Sequence, residues 1–214
     1  MKSFLLALLV VGSIGALAVA PTKQMTIDDT SVIVFFEKGI ECSGTVVSAI
    51  GKREWILTAR HCYNDGGMPM IAHFLDGDVA LTGETVLARG NQDLILIHAT
   101  SHHTHPVAHF TLIAPSRRAS VYAVGAPDGV DFGFITSYVM SNKSSPVEYA
   151  GFHSHLVPLA CIGCDSGMSG ATGRNDNGDI VGVITASNQS ATIGYMIPSS
   201  DVLPFVTRVL KLAT

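Results

Sequence analysis

From residue 31 to residue 197 the chain is a series of short β-branched and aromatic runs, separated by Gly, Asn and Asp. No run in this stretch carries an apolar stripe of helical period. Ser31–Glu37 reads as a strand, and Gly44–Ile50 with Glu54–Thr58 as two more around a Gly51-Lys52-Arg53 turn. Met70–Leu75, Thr85–Ala88 and Asp93–His98 continue the pattern, followed by Val121–Val124, Gly133–Met140, Asp179–Thr185 and Ile193–Ile197. Strands this short and this regularly spaced predict an all-β sandwich or barrel. The 21 glycines suit a fold that turns often. The one helix expected is terminal, Ser200–Leu212, where Val202, Leu203, Val206, Val209 and Leu210 recur at helical spacing. Ser199 or Ser200 is the expected cap, and Asp201 suits the positive N-terminal end. The stripe reads as a face that docks onto the β structure.

At 214 residues the chain has the size of one ordinary domain. Its first residues differ from the rest. Lys2 precedes a nearly unbroken apolar run from Phe4 to Ala20, shorter than the ~20 apolar residues of a membrane span. Ala16-Leu17-Ala18 offers a signal-peptidase site, whereas Pro21 hinders cleavage after Ala20. Residues 1–18 are expected to be a signal peptide; a retained anchor is the alternative, and both place the domain outside the reducing cytosol. Four cysteines fit that compartment. They allow three pairings, of which Cys42–Cys62 with Cys161–Cys164 is favoured. Cys161-x-x-Cys164 lacks the βαβ surroundings of a redox pair, and only His153 and His155 stand near enough to help it hold a metal. A net charge of −4 provides no field for nucleic acid, and no glycine-rich phosphate or dinucleotide loop occurs.

Three settings carry chemistry. A serine hydroxyl attacks only with a base beside it, an acid to orient that base, and donors for the developing oxyanion. Leu57-Thr58-Ala59-Arg60-His61-Cys62 places a histidine at the end of an apolar strand, and Cys42-Ser43-Gly44-Thr45 lies upstream. A Cys42–Cys62 bridge would clamp two neighbouring strands beside His61. Gln92-Asp93-Leu94-Ile95-Leu96-Ile97 opens an apolar strand with a single carboxylate, suited to hold an imidazole tautomer. Cys164-Asp165-Ser166-Gly167-Met168-Ser169-Gly170-Ala171 has two serines, each followed by glycine.

The histidine setting resembles that of trypsin-like serine proteases, and the resemblance extends over most of the chain beyond the leader. Gly167-Met168-Ser169-Gly170 matches their Gly-x-Ser-Gly pattern, whereas Ser166 has Cys164 two positions before it. Asn177-Gly178-Asp179-Ile180-Val181-Gly182-Val183 then resembles the stretch after the nucleophile in HtrA-like and trypsin-like proteases, with matching spacing from Ser169. Ala123-Val124-Gly125-Ala126-Pro127 and Phe134–Ser141 resemble the start of the second barrel of HtrA-like proteases, and Ile193–Ser200 their last strand. The resemblance implies two six-stranded β-barrels with the active site between them. Barrel one spans about 30–115 and barrel two about 120–199, with Ser116–Ala119 between and the helix at 200–212.

It further implies a serine endopeptidase, acting on protein or peptide through an acyl-enzyme and without a cofactor, with His61, Asp93 and Ser169 as its triad. The amides of Gly167, Met168 and Ser169 are the expected oxyanion donors. Gly163 and Cys164 would form the base of the specificity pocket, and Thr185, Ala186 and Ser187 its wall. None is charged, so an uncharged substrate side chain is expected. Met168 departs from the family, which often has aspartate there to pair with a new N-terminus on activation; methionine makes no such pair, so activity without a precise N-terminal cut is expected. Ala171 and Thr172 replace a frequent glycine and proline.

The histidines His98, His102, His103, His105 and His109 crowd one segment. Imidazole is a common metal ligand, but no carboxylate or cysteine lies among them, and the expected state is a solvated loop without metal. Two other functions compete with the protease: an inactive chymotrypsin-fold binding protein and a secreted His-rich metal binder. The first would need a lost triad member, and the second leaves the settings of His61, Asp93 and Ser169 unexplained.

Overall fold

The computed structural model describes residues 29–81, 86–88, 90–102 and 104–213. The expected leader at 1–18, its cleavage site and His103 lie outside the described residues. Two seven-stranded antiparallel sheets and a C-terminal helix make up the fold.

The first sheet is built from β1 (Ser31–Phe36), β2 (Glu41–Ile50), β3 (Arg53–Thr58), β4 (Pro69–Phe74), β5 (Gly77–Ala80), β6 (Val86–Leu87) and β7 (Ile95–Thr100), in the order β5-β4-β1-β2-β3-β7-β6. β1 is apolar on both faces and central, as a run without polar alternation requires. β2 and β3 form the expected hairpin, with Ile50 opposite Arg53 across the Gly51-Lys52 turn.

The second sheet holds β8 (Ser120–Gly125), β9 (Gly133–Val139), β10 (Ser145–Tyr149), β11 (Phe152–Cys161), β12 (Thr172–Arg174), β13 (Ile180–Ser187) and β14 (Ile193–Pro198). β11 pairs with both β14 and β9, so β8-β9-β11-β14-β13-β12 closes as a six-stranded barrel. β10 is the surplus strand, hung on the outer half of β11 as a hairpin arm. In the first sheet the β4–β5 hairpin brings the count of paired strands to seven.

The stretch from 104 to 119, without a strand, joins the halves and is stitched to both. The Ala108 amide donates to Val46 O at 3.0 Å, the Thr111 amide to Ile180 O at 3.1 Å, and the Ile180 amide to His109 O at 2.7 Å. The chain turns at Ser116–Ala119, where the Ala119 amide donates to Ser116 O.

The terminal helix, α2 (Ser199–Ala213), buries Val202, Phe205, Val206 and Val209. They pack with Leu94 and Leu96 of the first half and Val183 and Ile197 of the second. At roughly 25 cal/mol per Å² of apolar area, four such side chains hold the halves together. The expected serine cap is not found: the Ser199 hydroxyl donates to Thr111 O instead, tying the helix start to the connecting stretch. No described helix is long and apolar enough to cross a membrane.

A second helix, α1 (Arg60–Gly66), lies outside what the sequence leads one to expect. Its residues are mostly polar and carry no stripe; tertiary bonds hold it. The Cys42–Cys62 disulfide fixes its first turn, and the Gly67 amide caps its end on Tyr63 O.

His105 is not in a solvated loop. It is buried, and its ring stacks on Phe74 at 3.8 Å between centroids. Nδ1 faces Glu54 Oε2 at 2.8 Å, and Nε2 faces Asp76 Oδ1 at 3.1 Å. Glu54 has no exposure and also accepts from the Ser101 hydroxyl and the His105 amide, both at 2.6 Å. Removing one partner from a buried ionic group costs about 3–5 kcal/mol. His105→Ala should therefore lower unfolding free energy in urea by about 3 kcal/mol or more; a change below about 0.5 kcal/mol, the usual span of a surface substitution, would show the contact to be idle.

Candidate active site

His61 is the second residue of α1, so the bonds that position the helix aim the ring. Its amide donates to Asp93 Oδ1 at 2.7 Å, and its Nδ1 lies 2.6 Å from Asp93 Oδ2. Asp93 ends the loop before β7 and is 2% exposed. A buried carboxylate needs donors on both oxygens; here they are the His61 amide, the His61 ring and the Thr185 hydroxyl, which donates to Oδ2. With Nδ1 held as donor, Nε2 is the acceptor, and it stands 3.0 Å from Ser169 Oγ.

Ser169 lies in the tight loop between β11 and β12. Gly167 and Gly170 both have φ near +90°. A Cβ on Gly167 would sit 2.0 Å from Ala126 O, and one on Gly170 2.1 Å from Ser43 O. Side chains are excluded there both by conformation and by space.

Peptide orientations in the loop follow from hydrogen bonds. In a trans peptide the C=O and N–H point opposite ways. The Asp128 amide holds Ser166 O at 2.9 Å, which turns the Gly167 N–H away from that bond. The Ala171 amide holds Met168 O at 3.0 Å, which does the same for the Ser169 N–H. Neither the Gly167 nor the Ser169 amide has a hydrogen-bond partner among the described residues. The Met168 amide is different: it donates to Asp165 O at 3.1 Å, and its side chain is buried in the second barrel. Met168 therefore drops out of the expected donor set. The alternative serine, Ser166, is exposed.

Both disulfides form as favoured, Cys42–Cys62 and Cys161–Cys164. Cys42, Cys62 and His61 come close together, but with both sulfurs bonded there is no thiolate to ligate a metal.

The expected pocket residues separate into two sets. Gly163 is half-buried, Ala186 lies at the edge of burial and Ser187 is exposed, so these three can meet a ligand. Cys164 and Thr185 cannot. Cys164 is packed into the core of the second barrel against Gly194, and Thr185 is buried with its hydroxyl on Asp93.

Two residues at the site escaped sequence reading. Tyr149, at the tip of the β10–β11 hairpin, meets the His61 ring edge to face at 5.9 Å. Burial, then the charges of Asp93 and Asp65, push its phenol above the usual range, so it stays neutral. The arm is anchored by the His153 amide on Asn91 O at 2.9 Å and by Phe152 under the Arg60 guanidinium. The other residue is Ser43, buried on β2, whose amide donates to Ser169 O at 2.9 Å.

A hydroxyl against an imidazole nitrogen, a buried carboxylate behind that ring and two unspent amides nearby can together generate an alkoxide and receive an anion. A family model described as trypsin-like peptidase domain matches residues 42–183. No curated protein matches the chain. Solved structures share its fold. The active form of the Rv3671c protease from M. tuberculosis is 19% identical with a TM-score of 0.70, over 86% of this chain and 82% of that one. The inactive form of the Rv3671c protease is 18% identical, over 85% and 89%, with a TM-score of 0.67. The serine endoprotease from Yersinia pestis is 19% identical, over 86% and 63%, with a TM-score of 0.69.

Proposed function

Since the chain belongs to the trypsin-like peptidase family and is a serine-type peptidase, we propose that it is a secreted endopeptidase that forms an acyl-enzyme on Ser169. His61 is the base and Asp93 the acid that orients it. The observation that carries this reading is the unbroken line of contacts Thr185–Asp93–His61–Ser169, contributed by both barrels.

Substrates are proteins or peptides. Ser169 Oγ attacks the scissile carbonyl carbon as Nε2 of His61 takes the hydroxyl proton. The carbonyl oxygen becomes an oxyanion and receives the Gly167 and Ser169 N–H groups. The C–N bond then breaks, the amine leaves with the proton from His61, and the acyl group stays on Ser169. Water repeats the sequence and frees the acid. No cofactor enters any step. The residue before the cut is uncharged, because Gly163, Ala186 and Ser187 offer it no charge.

The domain runs from 19 to 214 after loss of residues 1–18, and the enzyme works outside the reducing cytosol, where two disulfides persist. With Met168 buried in place of the family's aspartate, its activity requires no newly cut N-terminus.

A fluorophosphonate probe, followed by peptide mapping, tests the assignment. The label is expected on Ser169 and lost in His61→Ala; a label on Ser166, or none on folded protein, overturns it. Thr185→Val keeps the volume but removes a hydrogen bond to a buried carboxylate, worth about 1.5 kcal/mol or more where that group is charged. Its kcat/KM is expected to fall about tenfold, and steady-state kinetics equal to the parent would exclude a role for this hydroxyl.

A further inference from the structure

Ser43 sits on the first barrel, fully buried, yet its hydroxyl is spent on the second. Oγ accepts the Ala126 N–H at 3.0 Å and donates to Gly167 O at 2.7 Å. The backbone of the same residue is engaged as well: its N–H donates to Ser169 O at 2.9 Å, and its carbonyl accepts from the Thr58 hydroxyl at 2.6 Å. Ala126 leads into the turn Pro127–Gly129, whose Asp128 amide holds Ser166 O. One hydroxyl thus joins the two segments, 126–128 and 166–169, whose mutual position decides where the Gly167 N–H points.

We propose that the Ser43 hydroxyl is a positioning group for the reaction: by joining the Ala126 amide to Gly167 O it fixes segment 126–128 against the loop, and the Asp128 amide of that segment holds the Ser166–Gly167 peptide with the Gly167 N–H facing the developing oxyanion. The proposal rests on the reading of the Gly167 and Ser169 amides as the oxyanion donors. The clamp on this loop comes from the opposite barrel. Without the hydroxyl, the Ala126 N–H and the Gly167 carbonyl are both buried and without their shared partner. Unpaired buried groups are costly. Closing the gap that Oγ fills restores a bond, and that movement shifts segment 126–128 against 166–169, and with it the Ser166–Gly167 peptide that carries the Gly167 N–H.

The test compares Ser43→Ala and Ser43→Cys with the parent enzyme. A thiol keeps the same Cβ and a weaker donor and acceptor. Loss of one oxyanion donor costs about 100- to 1,000-fold in kcat, and loss of its alignment is expected to cost Ser43→Ala about 10- to 100-fold. KM should stay within about twofold, since the ground-state carbonyl makes little use of the amide. Affinity for a peptide aldehyde, whose adduct with Ser169 carries the oxyanion, should fall in parallel with kcat. Affinity for a product peptide should not change, and the pH dependence of kcat/KM should keep its shape. Ser43→Cys should lie between alanine and parent.

Parental kcat and aldehyde affinity in Ser43→Ala would overturn the proposal. So would a fall in kcat with no loss of aldehyde affinity, which marks damage elsewhere. If neither variant folds, the hydroxyl is a structural staple and the proposal fails. A parent enzyme that is unlabelled by fluorophosphonate at Ser169 would instead overturn the catalytic assignment beneath it.

Discussion

Ser169→Ala is expected to lower kcat for peptide hydrolysis by about a millionfold, the order of loss found when a serine nucleophile is removed, with KM nearly unchanged. The hydroxyl is the only group removed, and it lies 3.0 Å from His61 Nε2. Its bonds to substrate exist only after attack, so ground-state binding has little to lose. His61→Ala should cost about as much, and the double variant no more than either alone, because the two residues act as a unit. Asp93→Asn should cost about 10,000-fold: it takes away the acceptor that fixes the ring tautomer through Nδ1. Burst-free progress curves at high enzyme concentration measure these rates. Additive losses in the double variant, or a comparable loss in Ser166→Ala, would contradict the assignment of Ser169.

Gly170→Ala should leave almost no folded enzyme. The added Cβ would lie 2.1 Å from Ser43 O, 2.3 Å from the Thr58 hydroxyl oxygen and 2.8 Å from the Ala59 amide nitrogen. All three belong to the first barrel, so relief requires the two halves to part. The left-handed backbone adds about 1 kcal/mol of its own, and the overlap places the total beyond the ~4–5 kcal/mol that marks exceptional substitutions. Gly51→Ala is the matched control: Gly51 also has positive φ, but nothing lies within 4 Å of its Cβ position. It should cost about 1 kcal/mol and retain full labelling. Urea unfolding of both variants, read against fluorophosphonate labelling, makes the comparison. Stable, labelled Gly170→Ala would mean that the barrels do not meet as closely as described.

The strands that sequence makes plain are those whose own residues favour extension. β1, β3 and β7 are rich in β-branched residues, and the structure places them within a residue or two of expectation. β11 escaped notice because Phe152–Cys161 mixes two histidines, a serine and Pro158 into its ten residues. Its pairing changes along its length, from β10 to β14 and β9, so no single face alternates cleanly. α1 was hidden because bonds to Cys42 and Asp93, far along the chain, hold it.

At the site, legibility follows the same division. His61 follows an apolar strand, Asp93 opens one, and Ser169 sits in a Gly-x-Ser-Gly setting, all of which a sequence displays. The duties of Thr185 and Ser43 do not show, because the bonds span 92 and 124 residues. The amide of Met168 and the sulfur of Cys164 are illegible for a related reason: place in a motif says nothing about which way a peptide or side chain turns. His105 looked like loop because nothing nearby in sequence announces Glu54 or Phe74 as its surroundings.

The line of contacts at Ser169 crosses between the barrels at two points, His61 to Ser169 and Asp93 to Thr185, and α2 packs on both sides of that seam. During synthesis the N-terminal half emerges first. It carries His61 and Asp93, whereas Ser169 and Thr185 come with the second barrel. On the proposed reading, His61 has no hydroxyl to act on until the two halves have folded and met, so topology itself times the hydrolytic power.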